Sequence, residues 1–145
     1  MEKKLYEITI NNSVNYDGKL NNHEDYQKML KILEKECSFI GIDSEHEIVV
    51  KHNKDIIKIE KSSSWWGIET SYINTLYYIK ASEALFKDLS KYETFCKTIN
   101  YEAQKTDFGA NDIAFFDKND NILLITNTHE GFISVDERID KLFQK

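Results

Sequence analysis

A chain of 145 residues with 41% apolar and 30% charged residues, eight Tyr, eight Phe and two Trp has the length of one domain. Its composition is that of a globule that buries about two-thirds of its unfolded surface, which excludes disordered and fibrous classes. The net charge is −6 and Arg138 is the only arginine beside 18 lysines; nucleic-acid readers rely on arginine forks and a basic face, so no nucleic-acid partner is expected.

In chain order, no apolar run of signal-peptide length follows Lys3 and Lys4 and none reaches membrane-spanning length, so the expected location is the cytoplasm, with no membrane partner. The alternating "KLYEITI" predicts a first strand over 4–10. Tyr26, Met29, Leu30, Leu33 and Cys37 then recur at helical spacing, with Asn22 as N-cap and Glu24 and Asp25 at the positive end of the helix dipole. "EIVVKHNKDIIKIEK" reads as a hairpin turning at Asn53 and Lys54, in which Val50 faces Ile57 and Ile48 faces Ile59. Continued through the serines of "SSSWWG", that register sends Trp65 into the core and Trp66 to the opposite face, unless a bulge between Ser62 and Ser64 reverses it.

"YINTLYYIKA" predicts another strand over 72–81, and Ser82 caps a second helix whose stripe is Leu85, Leu89, Tyr92, Cys96 and Ile99. "IAFF" and "ILLI" flank a polar turn at 117–121 and are apolar without alternation, which predicts central strands covered on both faces. A last strand follows at 132–135, and Ser134 with Glu137 forms a capping box for a short C-terminal helix. The order β-α-ββ-β-α-ββ-β-α implies one α+β domain over 1–145, with a mainly antiparallel sheet, two main helices and a short C-terminal helix.

Several chemistries fall away on spacing. His46 and His52 are about 20 Å apart along an extended strand, and His23 lies in a solvated charge cluster, so no metal site is expected. "DKNDN" imitates the start of a calcium loop, but Ile122 stands where glycine is needed and Thr128 where glutamate is needed. Single glycines give no phosphate loop, Cys37 and Cys96 read as buried thiols, and no cofactor is expected. His129 and Glu130, beside Gly131 and with Asp107 and Asp112 preceding the paired strand, form the one corner suited to proton transfer near neutral pH, yet no activated nucleophile accompanies them. A non-enzyme is therefore favoured over an enzyme, without deciding between them.

The aromatic stretch from Trp65 to Tyr78 remains. Strands favour aromatics, so a core role accounts for most of it, but Trp and Tyr are also the residues most enriched at binding hot spots. The predicted partner-binding set is Trp66, Tyr72, Tyr77 and Tyr78, with Glu60 and Glu69 as its acidic surround. The expected function is that of a cytoplasmic protein-binding module without a catalytic motif. Its concrete form is a bacterial immunity-type protein that neutralises a basic, nuclease-like toxin by electrostatic steering and aromatic anchoring. The alternative is a small enzyme or small-molecule-binding domain whose pocket is lined by the tyrosines, His129 and Glu130.

Overall fold

A computed structural model describes residues 4–17, 19–20, 22–95, 108, 111–128 and 130–145. Its elements are β1 (Ser13–Asn15), α1 (His23–Glu36), β2 (Phe39–Asp43), α2 (Glu47–Lys51), β3 (Ile56–Trp65), β4 (Ile68–Lys80), α3 (Glu83–Leu89), β5 (Ile113–Phe116), β6 (Ile122–Asn127), β7 (Phe132–Asp136) and α4 (Glu137–Phe143). The strands form one antiparallel sheet in the order β1-β7-β6-β5-β2-β4-β3. The fold is α+β, with the expected succession of strands and helices and one additional short helix, α2.

The helices cover one face. Tyr26, Met29, Leu30 and Leu33 of α1 pack with Leu85, Phe86 and Leu89 of α3 and Ile139 of α4 against Ile40, Ile42, Ile79, Phe115 and Leu124. Asn22 caps α1 as predicted, its Oδ1 accepting from the Asp25 amide at 2.8 Å. The other face carries Phe39, Leu76, Tyr78, Ala114, Phe116, Ile122 and Ile125, and is covered by Leu5, Trp65 and Trp66 with Tyr6, Ile8 and Ile10. In β5, Ile113 and Phe115 join the first core while Ala114 and Phe116 join the second. Two cores therefore explain an unbroken apolar run: the period-2 alternation is present, but both faces are dry.

Several local expectations change. The 4–10 segment is not a strand: Leu5–Glu7 make a single 3₁₀ turn, and the segment lies across the second face. "EIVVK" is the helix α2, capped by His46, whose Nδ1 accepts from the Ile48 amide at 3.1 Å. Ile48 and Val49 are both buried; adjacent side chains share a core on a helix more readily than on a strand, so packing overrides β-branched propensity. The partner of β3 is β4, not 47–51, and Asn53 and Lys54 lie in a 3₁₀ turn (Asn53–Asp55). β2, not anticipated, is fully buried and pairs with both β4 and β5.

α3 ends at Leu89, so Tyr92 is buried outside the helix, while Cys96, Ile99, Asp107 and His129 lie outside the described residues. The cap of α4 is Asp136, whose Oδ2 accepts from the Arg138 amide at 3.0 Å, in place of the Ser134 and Glu137 box. The 117–121 turn is a polar hairpin turn: Asp117 Oδ1 accepts from the amides of Asn119 and Asn121. Arg138 ties that turn to α4 by a 3.0 Å ion pair with Asp117.

Candidate functional site

The β3–β4 hairpin turns at Trp66 and Gly67, where φ is +51° and +91°. Positive φ at both central residues matches the twist of a two-residue hairpin, but a left-handed conformation costs a side chain such as tryptophan about 1–2 kcal/mol. The indole offsets this by burial. Trp66 is 2% exposed and lies against Gly41 of β2, at which a Cβ would stand 2.5 Å from Trp66 Cζ2 and 3.0 Å from Tyr78 Cε1. Trp65 is also 2% exposed. Strand alternation predicts opposite faces for the two tryptophans, but Trp66 is a turn residue, so both enter the second core.

Polar groups lock this arrangement. Trp66 Nε1 donates to the Tyr78 hydroxyl at 3.3 Å, which donates to Glu60 Oε1 at 2.8 Å. The buried Glu60 carboxylate also accepts from the amides of Leu5 and Tyr6, each at 3.1 Å, and lies 3.4 Å from Lys58 Nζ. The Trp66 amide donates to Tyr6 O at 3.0 Å. Burial, then the Glu60 carboxylate, pushes the Tyr78 phenol well above its ordinary range, so it acts as a donor throughout the accessible pH range. Of the predicted partner-binding residues, Trp66, Tyr78 and Glu60 therefore form an internal brace that holds the N-terminal segment on the sheet.

The others are separated from it. Glu69 is exposed, Tyr77 is half-buried on the helix side, and Tyr72 is 73% exposed. The register explains Tyr72: Ser62 pairs with Asn74 and Ser64 with Glu69, so Thr70 to Ile73 stand opposite Ser63 alone and bulge outward. The Thr70 hydroxyl lies 3.0 Å from Ser63 O and accepts from the Tyr72 amide at 3.2 Å, which fixes the bulge.

Ile57 and Ile59, which the expected register places on the core face with Trp65, are exposed as well. Among the described residues the large apolar side chains that are well exposed are Val50, Ile57, Ile59, Tyr72 and Ile73, at 54–74%. Ile57 and Ile59 lie on the terminal strand β3, Tyr72 and Ile73 on the bulge of β4, and Val50 on α2. Ile57 is itself the unpaired residue of a second bulge, between the pairs Ile56–Ile79 and Lys58–Tyr78. Nothing local could have found them, because "DIIKIEK" has the alternation of any half-buried strand and only the sheet order makes β3 an edge.

Two titratable clusters lie elsewhere. Asp88 lies 2.6 Å from His52 Nε2, 2.9 Å from Lys51 Nζ and 3.0 Å from Lys91 Nζ, beside a cavity of about 210 Å³. Burial would raise the Asp88 pKa, but the hydrogen bonds from Lys51, Lys91 and His52 carry it far below the usual range. Among the described residues no serine or cysteine is hydrogen-bonded to His52, so the pair lacks the nucleophile a catalytic dyad activates. Asp43 and Asp112, both buried, are hydrogen-bonded to each other. Burial, then the Asp112 charge, pushes Asp43 up to about 7, and burial raises Asp112. Asp43 Oδ1 accepts from the Asp112 amide at 2.9 Å, and Asp112 Oδ1 accepts from the Thr128 amide at 2.6 Å and the Thr126 hydroxyl at 3.2 Å. The pair stitches the ends of β2, β5 and β6.

The proposed tyrosine pocket is not assembled from the described residues. Glu130 is exposed, and a cavity of about 220 Å³ nearby is lined by Trp66, Ile68, Ile125 and Phe132 among others, without Tyr72, Tyr77, Tyr78 or Glu130. No group of described residues is arranged to hold a metal ion, and no described helix is long and apolar enough to cross a membrane. No family model matches the chain, and no curated protein or solved structure is significantly similar to it.

Proposed function

We propose that this chain is a cytoplasmic protein-binding module that seats its partner on the β3 end of the sheet, with immunity-type neutralisation of a toxin as the concrete form of that role. One observation carries the reading: four of the five strongly exposed large apolar side chains among the described residues lie on the terminal hairpin, Ile57 and Ile59 on β3 and Tyr72 and Ile73 on the β4 bulge opposite Ser63. Scattered exposed apolar residues are ordinary, whereas a gathered set marks an interaction surface. Net charge and patch act at different ranges. The overall −6 favours the approach of a basic partner within about a Debye length of 8–10 Å, and the apolar edge holds it once seated.

The test is co-purification from the native cells with wild-type chain and with an Ile59→Asn/Tyr72→Ala variant whose unfolding midpoint matches wild type. A protein retained by the wild type and lost from the variant supports the reading. Expression of that protein alone should then be toxic, with growth rescued by the wild-type chain only. Identical sets of retained proteins overturn it.

A further inference from the structure

We propose that the seated partner contributes an extended segment that adds to β3 as an eighth strand, and that this segment carries an acidic residue two positions from an apolar one. The inference rests on the docking role above and names its mode and partner chemistry. β3 has ten residues, about 33 Å of strand, and β4 is its only strand neighbour among the described residues. The opposite edge, β1, has three residues and offers little ladder. A terminal strand of this length presents a row of N–H and C=O groups to whatever arrives beside it.

Charge selects the occupant. On β3 itself Glu60 is buried in the brace with Trp66 and Tyr78 and pairs with Lys58, which leaves Lys61 as the exposed charge of the strand. The edge is thus locally positive on a negative protein. A second copy paired in parallel register would set Lys61 against Lys61, whereas a strand that brings a carboxylate there gains a cross-strand ion pair. The pairs Ile59–Tyr77 and Lys61–Thr75 put Ile59 and Lys61 on the same face of β3, two residues apart. An added strand places one side chain beside Ile59 and, two positions on, one beside Lys61, so the best match is apolar followed by carboxylate in either strand direction.

The probe is the capped heptapeptide Thr-Val-Thr-Glu-Thr-Val-Thr, which reads the same in both directions and sets Val, Glu and Val on one face, compared with the same peptide bearing Lys at its centre. At about 1 mM peptide, the Glu form should slow hydrogen exchange of amides in 57–63 and bind at least about threefold more tightly than the Lys form. In the Lys61→Glu chain that preference should reverse. Equal binding of the two peptides, or no protection of 57–63 by the Glu form, overturns strand addition. So does a dimer in sedimentation equilibrium that protects the same amides, since it makes the occupant a second copy. Loss of strand addition leaves the patch-dependent co-purification above as a separate readout, so the docking role and its mode fail independently.

Discussion

Gly41 of β2 lies directly beneath the indole of Trp66, so closely that a Cβ on Gly41 would come within 2.5 Å of Trp66 Cζ2. Trp66 is fixed by its left-handed backbone, its hydrogen bond to the Tyr78 hydroxyl and the hydrogen bond its backbone amide donates to Tyr6 O, so the ring has little freedom to retreat. Gly41→Ala should therefore destabilise the domain by about 1–3 kcal/mol, the range for overpacking a rigid core. Trp66→Phe shortens the ring and costs stability on its own through lost burial. In the double variant the two losses should sum to at least about 1 kcal/mol less than the singles. Urea unfolding of the four proteins measures this, and strict additivity would show that the glycine is not there for the tryptophan.

That contact also explains which features the sequence disclosed. α1 was legible because its stripe and its Asn22 cap are local signals read within a few turns. The doubly buried β5 and β6 were legible because continuous apolar runs survive without context. β2 was not: "FIGID" is short and carries a glycine whose reason, the Trp66 indole, lies 25 positions away. "EIVVK" was read as a strand because β-branched residues favour one, whereas the burial of both Ile48 and Val49 is decided by the core beneath them. Tyr72 was found as a candidate contact from its type alone. Ile57 and Ile59, also exposed, read as core from their alternation, since edge position is a property of sheet order that no local pattern encodes.

The Asp43–Asp112 pair gives the domain a pH dependence with a definite sign. Asp43 is held up to about 7 by burial and then by the Asp112 charge, against about 3.9 in an unfolded chain. The native state therefore binds the extra proton between those values, so the contribution is full below about pH 4 and is lost as pH rises through about 7. Asp88, held low, acts in the opposite sense and only as pH falls below about 4, so the two windows do not overlap. Asp43→Asn keeps an acceptor for the Asp112 amide and supplies a permanent donor to the Asp112 carboxylate. Asp112 keeps its own burial-raised titration, so the slope shrinks without vanishing. The variant should lose about 1–3 kcal/mol less stability than wild type between pH 4 and pH 7. Parallel unfolding profiles for the two proteins would contradict this assignment of the shared proton.

Tyr72 and Tyr78 lie on the same strand, yet their substitution should separate binding from folding. Tyr78→Phe keeps the ring but removes the hydroxyl, which leaves Trp66 Nε1 without its acceptor and deprives Glu60 Oε1 of a donor. Orphaning buried polar groups in this way should cost about 1–3 kcal/mol. Because Glu60 also holds the Leu5 and Tyr6 amides, exchange at those two positions should accelerate along with the global loss. Tyr72→Ala removes a ring that is 73% exposed on the bulge, so the unfolding free energy should stay within about 0.5 kcal/mol of wild type while retention of the partner falls. Urea titration followed by tryptophan fluorescence reads both variants, since both indoles are buried in the core that the brace closes. A Tyr72→Ala protein as unstable as Tyr78→Phe would mean that the bulge is braced from outside by the chain itself, and the exposed edge would then belong to the fold.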